Sequence, residues 1–345
     1  MPSYLDLWGS VQNPIRQSDL NQLFQAKYGC AKRFALNKIY KDESKEYKLN
    51  YEAIFGILIH KIISNHLQFN KESSLLSMIQ KWEKERYPII FPEKVSAKEE
   101  IEEFQQMIDL LFDSKEYKKI KENIIDVERS FMLNIENDIF LAGSIDAIMK
   151  YGKGIAVIDW KTGSSVLSQY EMDHGYQSIA YCMACKMGEF FLSPDDSGFS
   201  SIEDGKTYYD AWKGTLDKNK YNKWPKMFYA YLKDLLPAKR TSTRQAKHYS
   251  DSKIINTSDG KIITEKGNRK GVFLYESQVD KKYIPRFIYS AKVAKTLAEV
   301  NLFPESLSEN CERCNQKDRC LSYGLDNKAE KEEILELMNE LGIEE

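Results

Sequence analysis

The sequence of 345 residues predicts an α/β fold, in which a block of β-strands follows a helical region and precedes further helices. Apolar residues recur at helical spacing up to about residue 122, for example in "YEAIFGILIHKIISNHL". The period then changes, and three β-rich runs follow one another: "NIIDVERSFMLNI", "IFLAGSIDAIMKY" and "GIAVIDWKT". Short breaks at "END" and at Gly152 to Gly154 separate these runs, so we expect a three-stranded meander.

Helices are predicted on both sides of the strands. A capped amphipathic helix should begin at Ser18 and end near Gly29. Residues 71–122 should be helical, with Trp82, Phe104, Ile108 and Leu111 in the core. After the strands, "MDHGYQSIAYCMACKMG" predicts a helix.

The remaining elements are predicted in the C-terminal part of the chain. We expect a helix over about Trp224 to Leu236 and a hairpin in "KIITEKGNRKGVFLYES". A helix from about Asp280 to Val300 and an acidic amphipathic helix after Lys328 should follow.

The composition is that of an ordinary globular protein. Hydrophobic residues make up 42% and charged residues 30% of the chain, which argues against both a disordered and a membrane-spanning class. The segment "MPSYLDLWGSVQNP" lacks a basic flank followed by an apolar core, and no apolar run reaches about 18 residues. We therefore expect no membrane association and a cytoplasmic location, in the host cell if the gene belongs to a phage.

Three charged residues interrupt otherwise apolar strands. Asp159 and Lys161 lie two apart and so point to the same face of their strand, whereas Trp160 points to the other. Asp146, on the neighbouring strand, can bring its carboxylate beside them. One lysine compensates only one of two buried carboxylates, and a divalent cation such as Mg²⁺, which prefers oxygen ligands, would balance the other. A salt-bridged cluster at a strand edge is the alternative explanation.

Further motifs stand in order around this trio, and together they resemble the RecB-like nucleases of the PD-(D/E)xK superfamily. That group includes the nuclease domains of RecB and AddB and the CRISPR-adaptation nucleases. The resemblance implies an α/β restriction-endonuclease-like core with a central mixed sheet flanked by helices. It also implies Mg²⁺- or Mn²⁺-dependent hydrolysis of DNA. The matching motifs, which extend over most of the chain, are "CAKRF", "GILIH", "GSID", "DWKTG", "QSIAY" and "CERCNQKDRC".

The resemblance also implies roles for particular residues. Asp146 and Asp159 would ligate the metal, His60 would complete its shell, and Lys161 would be catalytic. Gln177 and Tyr181, one helical turn apart, would support the site or contact the DNA strand.

Three further residues bear on this assignment. Gly56 lies four residues before His60 on one side of a helix, so another group could approach the backbone closely there. Asp159 stands where the superfamily's name allows a glutamate, although many RecB-like members also carry aspartate. Glu128 resembles an acidic position of the same families, and a surface carboxylate is an equally good explanation of it.

The cysteines divide into four and two. Cys311, Cys314 and Cys320, with two and five intervening residues, have a spacing suited to a metal centre, and Cys30 is the obvious fourth ligand. Four cysteines can hold an iron–sulfur cluster or a zinc ion. The resemblance favours a four-iron four-sulfur cluster that joins the chain ends. Cys182 and Cys185 lie in a predicted helix, where cysteine is most often a small buried hydrophobe.

The division of the chain follows from these motifs. We expect a helical region over 1–122 that carries the first cluster cysteine and the metal-site histidine, and a nuclease core over 123–192. A basic and aromatic insert should occupy 193–260, and the C-terminal hairpin, helix, cluster cysteines and acidic tail should occupy 261–345. Between Lys206 and Lys253 the insert has 12 Lys or Arg against 4 Asp, interleaved with aromatic residues, which suits single-stranded DNA.

The sequence therefore predicts a metal-dependent DNA nuclease. It is expected to be an exonuclease on single-stranded DNA or DNA ends, in repair, recombination or replication. No motor motif is present, so a helicase or recombination protein is a candidate partner. The alternative is a catalytically weak nucleic-acid-binding or structural subunit of a helicase–nuclease or CRISPR-adaptation complex.

Overall fold

The computed structural model describes residues 8–10, 13–24, 29–38, 49–136, 139–163, 167–191, 212–214, 223–236 and 273–303, with residues 216, 221, 311, 314, 316 and 320. Within them the chain forms helices, strands and two short 3₁₀ helices. None of the helices in this part of the chain is long and apolar enough to cross a bilayer.

Six helices precede the central strands. They are α1 (Gln17–Phe24), α2 (Ala31–Lys38), α3 (Tyr51–Phe69), α4 (Leu75–Glu85), α5 (Ala97–Asp113) and α6 (Lys115–Glu122). Side-chain oxygens define the starts of the last four, because each accepts a hydrogen bond from a backbone N–H that the first helical turn leaves unpaired. The capping residues are Asn50, Ser74, Ser96 and Ser114.

Three helices follow the central strands: α7 (Gln169–His174), α8 (Tyr176–Met187) and α9 (Ile284–Glu299). The 3₁₀ helices are Leu232–Leu235 and Lys281–Tyr283. The strands are β1 (Ile15–Arg16), β2 (Ile124–Glu136), β3 (Ile139–Tyr151), β4 (Gly154–Lys161), β5 (Glu189–Phe191), β6 (Trp212–Gly214), β7 (Lys226–Tyr231) and β8 (Leu274–Ser277).

The strands form one mixed sheet in the order β6-β5-β2-β3-β4-β7-β8, with β1 added beside β3. Strands β2, β3 and β4 are the antiparallel meander that the sequence predicted. Two pairings are parallel, β4 with β7 and β1 with β3. The sheet therefore has β3 and β4 at its centre, and both are paired by strands from distant parts of the chain.

Helices cover both faces of the sheet. One face packs against α3 to α6, and its sheet residues include Ala147, Ile158 and Trp160. The other face packs against α1, α2, α8 and α9, and its sheet residues include Val157 and Tyr229. Because both faces are buried, the central strands read as nearly continuous apolar runs, and a charged residue within them is conspicuous.

Several predicted elements are confirmed. The helix over "YEAIFGILIHKIISNHL" is α3, the helical residues 71–122 form α4 to α6, and the helix near Asp280 to Val300 is α9. The four predicted core residues of the second region are buried: Trp82, Phe104, Ile108 and Leu111.

Three predictions of secondary structure were wrong in detail. The helix expected over Trp224 to Leu236 is instead strand β7 and a 3₁₀ helix, because β7 pairs with β4 and β8 and buries side chains on both faces. Helix α1 begins at Gln17, where Asp19 Oδ2 accepts from Arg16 N at 2.9 Å, and not at a Ser18 cap.

The third difference concerns "MDHGYQSIAYCMACKMG", which forms two helices and not one. Gly175 between α7 and α8 has extended backbone dihedrals. A Cβ atom at Gly175 would lie 2.7 Å from the carbonyl oxygen of Glu171, so a residue with a side chain could not take its place without a shift. The predicted acidic helix after Lys328 and most of the predicted hairpin lie outside the described residues.

Candidate metal and catalytic site

The site is built where two strands part. Strand β1 covers the edge of β3 at Leu141 and Ala142, and β4 covers the same edge from Ala147 onward. Asp146 lies at the gap between these partners. Its Oδ2 accepts a hydrogen bond of 2.8 Å from Trp160 N, which fixes the carboxylate at the point where the β3–β4 ladder ends.

Three carboxylates form a row across β2, β3 and β4. The ladder pairs Val127 with Ala147 and Arg129 with Ile145, so Glu128 lies opposite Asp146. The last pair of the β3–β4 ladder is Ala147 with Ile158, and Asp146 and Asp159 are the next residues of these two strands. The row therefore assembles from three neighbouring strands, and its like charges repel one another.

Glu128 has an unusual backbone conformation for a strand residue, with φ of +46°. A regular strand would place Val127 and Phe131 on one face, because residues two apart share a side. Instead Val127 packs with α3 to α6, and Phe131 packs on the opposite face. The alternation slips at Glu128, and a left-handed conformation there costs about 1–3 kcal/mol, which is typical of residues held for function.

His60 reaches this row from α3. Its Nε2 lies 2.8 Å from the carbonyl oxygen of Trp160, and its Nδ1 lies 3.5 Å from Asp146 Oδ2. A carbonyl oxygen only accepts, so Nε2 carries a hydrogen, and Nδ1 is the nitrogen that faces the carboxylates.

The His60 ring, Glu128 and Asp146 together form a candidate cation site. Their ligand atoms all lie within 4.8 Å of one another, and no other such group of His, Cys, Asp or Glu occurs in the described part of the chain. Glu128 Oε1 is buried and has no hydrogen-bond partner among these residues. An imidazole nitrogen with two carboxylates is a donor set that fits a divalent cation.

The ionisation of the three groups reflects crowding of negative charge. Burial lowers the pKa of His60, but the carboxylates of Asp146, Glu128 and Asp159 together outweigh burial and raise that pKa to about 9. Burial, with Asp146 next to it, raises the pKa of Glu128 to about 8. Burial also acts to raise the pKa of Asp146, but His60, the Trp160 N–H and Lys161 together outweigh burial and hold that pKa below its ordinary value.

Lys161, Asp159, Gln177 and Tyr181 form a second cluster beside the first. Lys161 Nζ lies 2.6 Å from Asp159 Oδ2 and donates to Gln177 Oε1 at 3.1 Å. Gln177 Nε2 donates to Asp159 Oδ1 at 2.7 Å and to the Tyr181 hydroxyl at 3.0 Å. One amide group therefore holds both members of the ion pair.

Asp159 has an environment different from that of Asp146. Burial raises the pKa of Asp159 to about 6, with Lys161 opposing the rise and Asp146 adding to it. Asp159 is not a member of the group formed by His60, Glu128 and Asp146. Its contacts are to Lys161 and Gln177, so in this arrangement it anchors the lysine.

Gly56 allows the close approach that its position suggested. A Cβ atom at Gly56 would lie 3.2 Å from Thr162 Oγ1. Thr162 follows Lys161 directly, so the bare helix surface at Gly56 accommodates the end of β4. Helix α3 therefore touches this strand both through His60 and through Gly56.

Glu128 was weighed in the sequence but not assigned to the site. The "DVERSF" motif marked it as an acidic residue on the first strand of the meander, where alternation alone could not separate a surface carboxylate from a buried one. The slip at φ +46° turns its side chain inward, and a local backbone conformation of this kind leaves no signature in the sequence.

The cysteines are found as follows. Cys30 precedes α2, and its Sγ accepts from Arg33 N at 3.5 Å. Gln316 Nε2 donates to Asn37 Oδ1 at 2.7 Å, which ties the segment of the last three cysteines to α2. Across the described residues, no three thiols lie within 4.8 Å of one another. Cys182 and Cys185 are buried in α8, and burial raises the pKa of both thiols.

The mixed sheet with helices on both faces fits a restriction-endonuclease-like fold, and its site offers the donors of a divalent-metal hydrolase. The family model of the PD-(D/E)XK nuclease superfamily matches residues 24–321. The chain therefore belongs to the PD-(D/E)XK nuclease superfamily, whose members are generally nucleases that use divalent metals. A comparison with curated proteins gave no match.

Proposed function

We propose that the chain is a Mg²⁺- or Mn²⁺-dependent DNA nuclease that acts on single-stranded DNA or DNA ends, and that it is of the RecB-like type. The observation that carries this proposal is the adjacency of two clusters. His60, Glu128 and Asp146 offer three ligand atoms within 4.8 Å, and the next strand holds the Lys161–Asp159 pair at 2.6 Å.

The first cluster holds the metal in this proposal. Asp146 is fixed by Trp160 N, and His60 is fixed by the Trp160 carbonyl, so both ligands are oriented before a cation binds. Outer hydrogen bonds of this kind orient ligands and set the histidine tautomer. A bound divalent cation activates water and neutralises charge that develops on the phosphate.

The second cluster handles the proton and the phosphate. The Lys161 ammonium has three N–H donors, and two of them face Asp159 and Gln177. The third can meet the attacking water or a phosphate oxygen. Gln177 on α8 contacts both Lys161 and Asp159 and so holds these two side chains together. Its Nε2 also donates to the Tyr181 hydroxyl.

The cysteines are proposed to hold a four-iron four-sulfur cluster, with zinc as the alternative. Two observations support a shared centre. The Gln316–Asn37 hydrogen bond joins the segment of the last three cysteines to α2. The Cys30 thiol lies at the start of the same helix. Tetrahedral zinc would hold its thiolates about 3.8 Å apart, whereas a four-iron cluster spaces them more widely.

The setting of the reaction is proposed from the sequence. We expect the protein to be cytoplasmic and to act as an exonuclease in repair, recombination or replication, with a helicase or recombination protein as partner. The strands β6 and β7 lie within residues 193–260, so this range also supplies part of the central sheet.

The test is a cleavage assay on linear and circular single-stranded DNA, duplex DNA and RNA, labelled at either end, with Mg²⁺, Mn²⁺ or chelator. Loss of label from linear single strands, with circles intact, is the expected exonuclease pattern. Cleavage that persists in chelator would contradict metal dependence. Absence of cleavage in every metal, by protein that melts cooperatively, would leave the chain as a binding subunit.

A further inference from the structure

Three aromatic rings contact one another at the surface: Tyr170, His174 and Tyr283. Tyr170 and His174, both on α7, have nearly parallel rings with centroids 4.2 Å apart and an interplanar angle of 21°. His174 meets the ring of Tyr283 edge-on, with centroids 4.3 Å apart. Tyr170 is 66% exposed, so the stack ends in an aromatic ring that faces solvent.

Hydrogen bonds hold the middle ring in place. His174 Nδ1 lies 2.8 Å from the carbonyl oxygen of Tyr170, and His174 Nε2 lies 2.6 Å from the Tyr283 hydroxyl. The carbonyl only accepts, so Nδ1 donates, and in the neutral ring Nε2 accepts from Tyr283. The imidazole is therefore fixed at both nitrogens. Its ring already packs against one face of the Tyr170 ring before a ligand binds.

The charges around the stack are largely paired. Lys282 Nζ lies 5.0 Å from the centroid of the Tyr283 ring and 3.0 Å from Asp280. Asp173 Oδ1 accepts from Gln169 Nε2 at 2.8 Å and from Gln278 N at 2.6 Å. Because Lys282 already has a carboxylate partner, a ligand here would gain more from the ring than from this charge.

The stack adjoins the catalytic residues along the chain. His174 ends α7, Gly175 follows, and Gln177 in the first turn of α8 contacts both Lys161 and Asp159. Just before α7, Leu167 N donates at 3.0 Å to the hydroxyl of Tyr231, whose backbone pairs with Lys161 in the sheet. The segment that carries Tyr170 is therefore anchored to the site at both ends.

We propose that Tyr170 is a stacking platform for an unpaired base of a single-stranded nucleic acid held in the site, supported by His174 and Tyr283. A base has a π-face whatever its identity, and a rigid tyrosine offers contact area at little entropic cost. In duplex DNA both faces of a base are covered by its neighbours, so the platform selects single strands. This inference rests on the proposed nuclease function and adds a named contact to it.

The experiment measures binding of a labelled single-stranded DNA oligonucleotide in chelator, where cleavage is blocked. Tyr170→Ala should weaken binding about 5- to 150-fold, the range for loss of one base–aromatic stack. Tyr170→Phe keeps the ring and should bind as the wild type does. Tyr289→Ala is the matched control, because Tyr289 is an equally exposed tyrosine, 68% accessible, outside the stack.

Two further arms test stacking directly. The Tyr170→Ala loss should vanish on a strand of abasic sites, and the slope of log affinity against log salt should stay the same, because no phosphate contact is removed. Affinity of Tyr170→Ala within 2-fold of the wild type, or an equal loss on the abasic strand, would overturn the platform. If the wild-type protein binds single strands through Tyr170 but cleaves nothing with Mn²⁺, only the nuclease function is overturned. If the wild-type protein binds no single strand, the platform is overturned.

Discussion

His60 Nε2 lies 2.8 Å from the carbonyl oxygen of Trp160, the residue between Asp159 and Lys161. This hydrogen bond joins the helix that supplies the imidazole to the strand that supplies the lysine. The backbone N–H of Trp160 donates a hydrogen bond of 2.8 Å to Asp146 Oδ2. One buried tryptophan therefore sets the positions of two candidate ligands through its backbone, while its indole packs on the face of the sheet that α3 to α6 cover.

Removal of the lysine should abolish most of the cleavage. We expect Lys161→Ala to lower kcat about 100-fold or more, because a positioned proton-transfer group contributes about that much. Lys150→Ala, at an exposed lysine of β3, is the matched control and should cleave normally. The measurement is the rate on end-labelled single-stranded DNA with saturating Mn²⁺, together with the melting temperature. A Lys161→Ala rate within a few-fold of the wild type would remove this lysine from the mechanism.

Metal affinity should rise with pH. The pKa of His60 is about 9 and that of Glu128 about 8, so below these values each group holds a proton that a cation must displace. Calorimetric titration of metal-stripped protein with Mn²⁺ should show tighter binding at each step upward from about pH 6.5 to about pH 8.5.

The control for the pH experiment is Glu128→Gln, which keeps the shape of the side chain and removes its titration. Its Mn²⁺ affinity should fall at least about 10-fold at the higher pH, and its dependence on pH should be shallower than that of the wild type. A wild-type affinity that does not change with pH would contradict the assignment of both residues as ligands.

The contact of Gly56 with Thr162 allows a double-mutant test. Gly56→Ala should lower cleavage about 10-fold through displacement of the residue after Lys161, because its Cβ would lie 3.2 Å from Thr162 Oγ1. The melting temperature should change little, because alanine is favoured over glycine in a helix by about 0.5–1 kcal/mol, and this gain opposes the cost of the crowding. Thr162→Ala removes the crowded atom, so the double variant should recover the rate of Thr162→Ala alone. Failure to recover would show that the contact does not act on Lys161.

The cysteine centre has a direct chemical test. Anaerobically purified wild type should contain about four iron and four sulfide per chain, with a broad visible absorption. Cys30→Ser and Cys314→Ser should lose the iron and melt at a lower temperature, because ligation by distant residues couples metal binding to folding. Cys185→Ser is the control and should keep the iron, since this thiol is buried in α8.

The metal analysis has two other informative outcomes. Stoichiometric zinc without iron would replace the cluster by a structural zinc site. Loss of metal in Cys185→Ser alone would overturn the whole assignment of ligands.

Sequence periodicity predicted the elements that obey it. The meander, the long helix with His60 and the common side of Asp159 and Lys161 all follow from repeats of 2 or 3.6 residues. Strand β7 was not predicted, because its sequence lacks such a repeat. Its "KMFYAY" run is buried on both faces, and a short apolar run without alternation does not distinguish a central strand from a buried helix.

The sequence also predicted only part of the arrangement of the candidate site. Motif order located His60, Asp146, Asp159 and Lys161, but the sequence could not divide them into the two clusters that the structure shows. Asp146 faces His60 and Glu128, whereas Asp159 is held by Lys161 and Gln177. The difference arises from where β3 and β4 separate and from the left-handed φ of Glu128, and both depend on pairing across the whole sheet.

The parallel pairing of β4 with β7 has a consequence for biosynthesis. Every residue of the candidate metal and catalytic site, His60 to Tyr181, precedes Lys226. Strand β4 nevertheless keeps an open edge until β7 arrives and places the Tyr229 ring 5.5 Å from Lys161 Nζ. A chain made from its N-terminus on the ribosome can fold the meander early, but it closes the catalytic edge only after about two thirds of its length has been translated. A nascent copy therefore carries the residues of the candidate site before the strand that closes the open edge of β4 has been made.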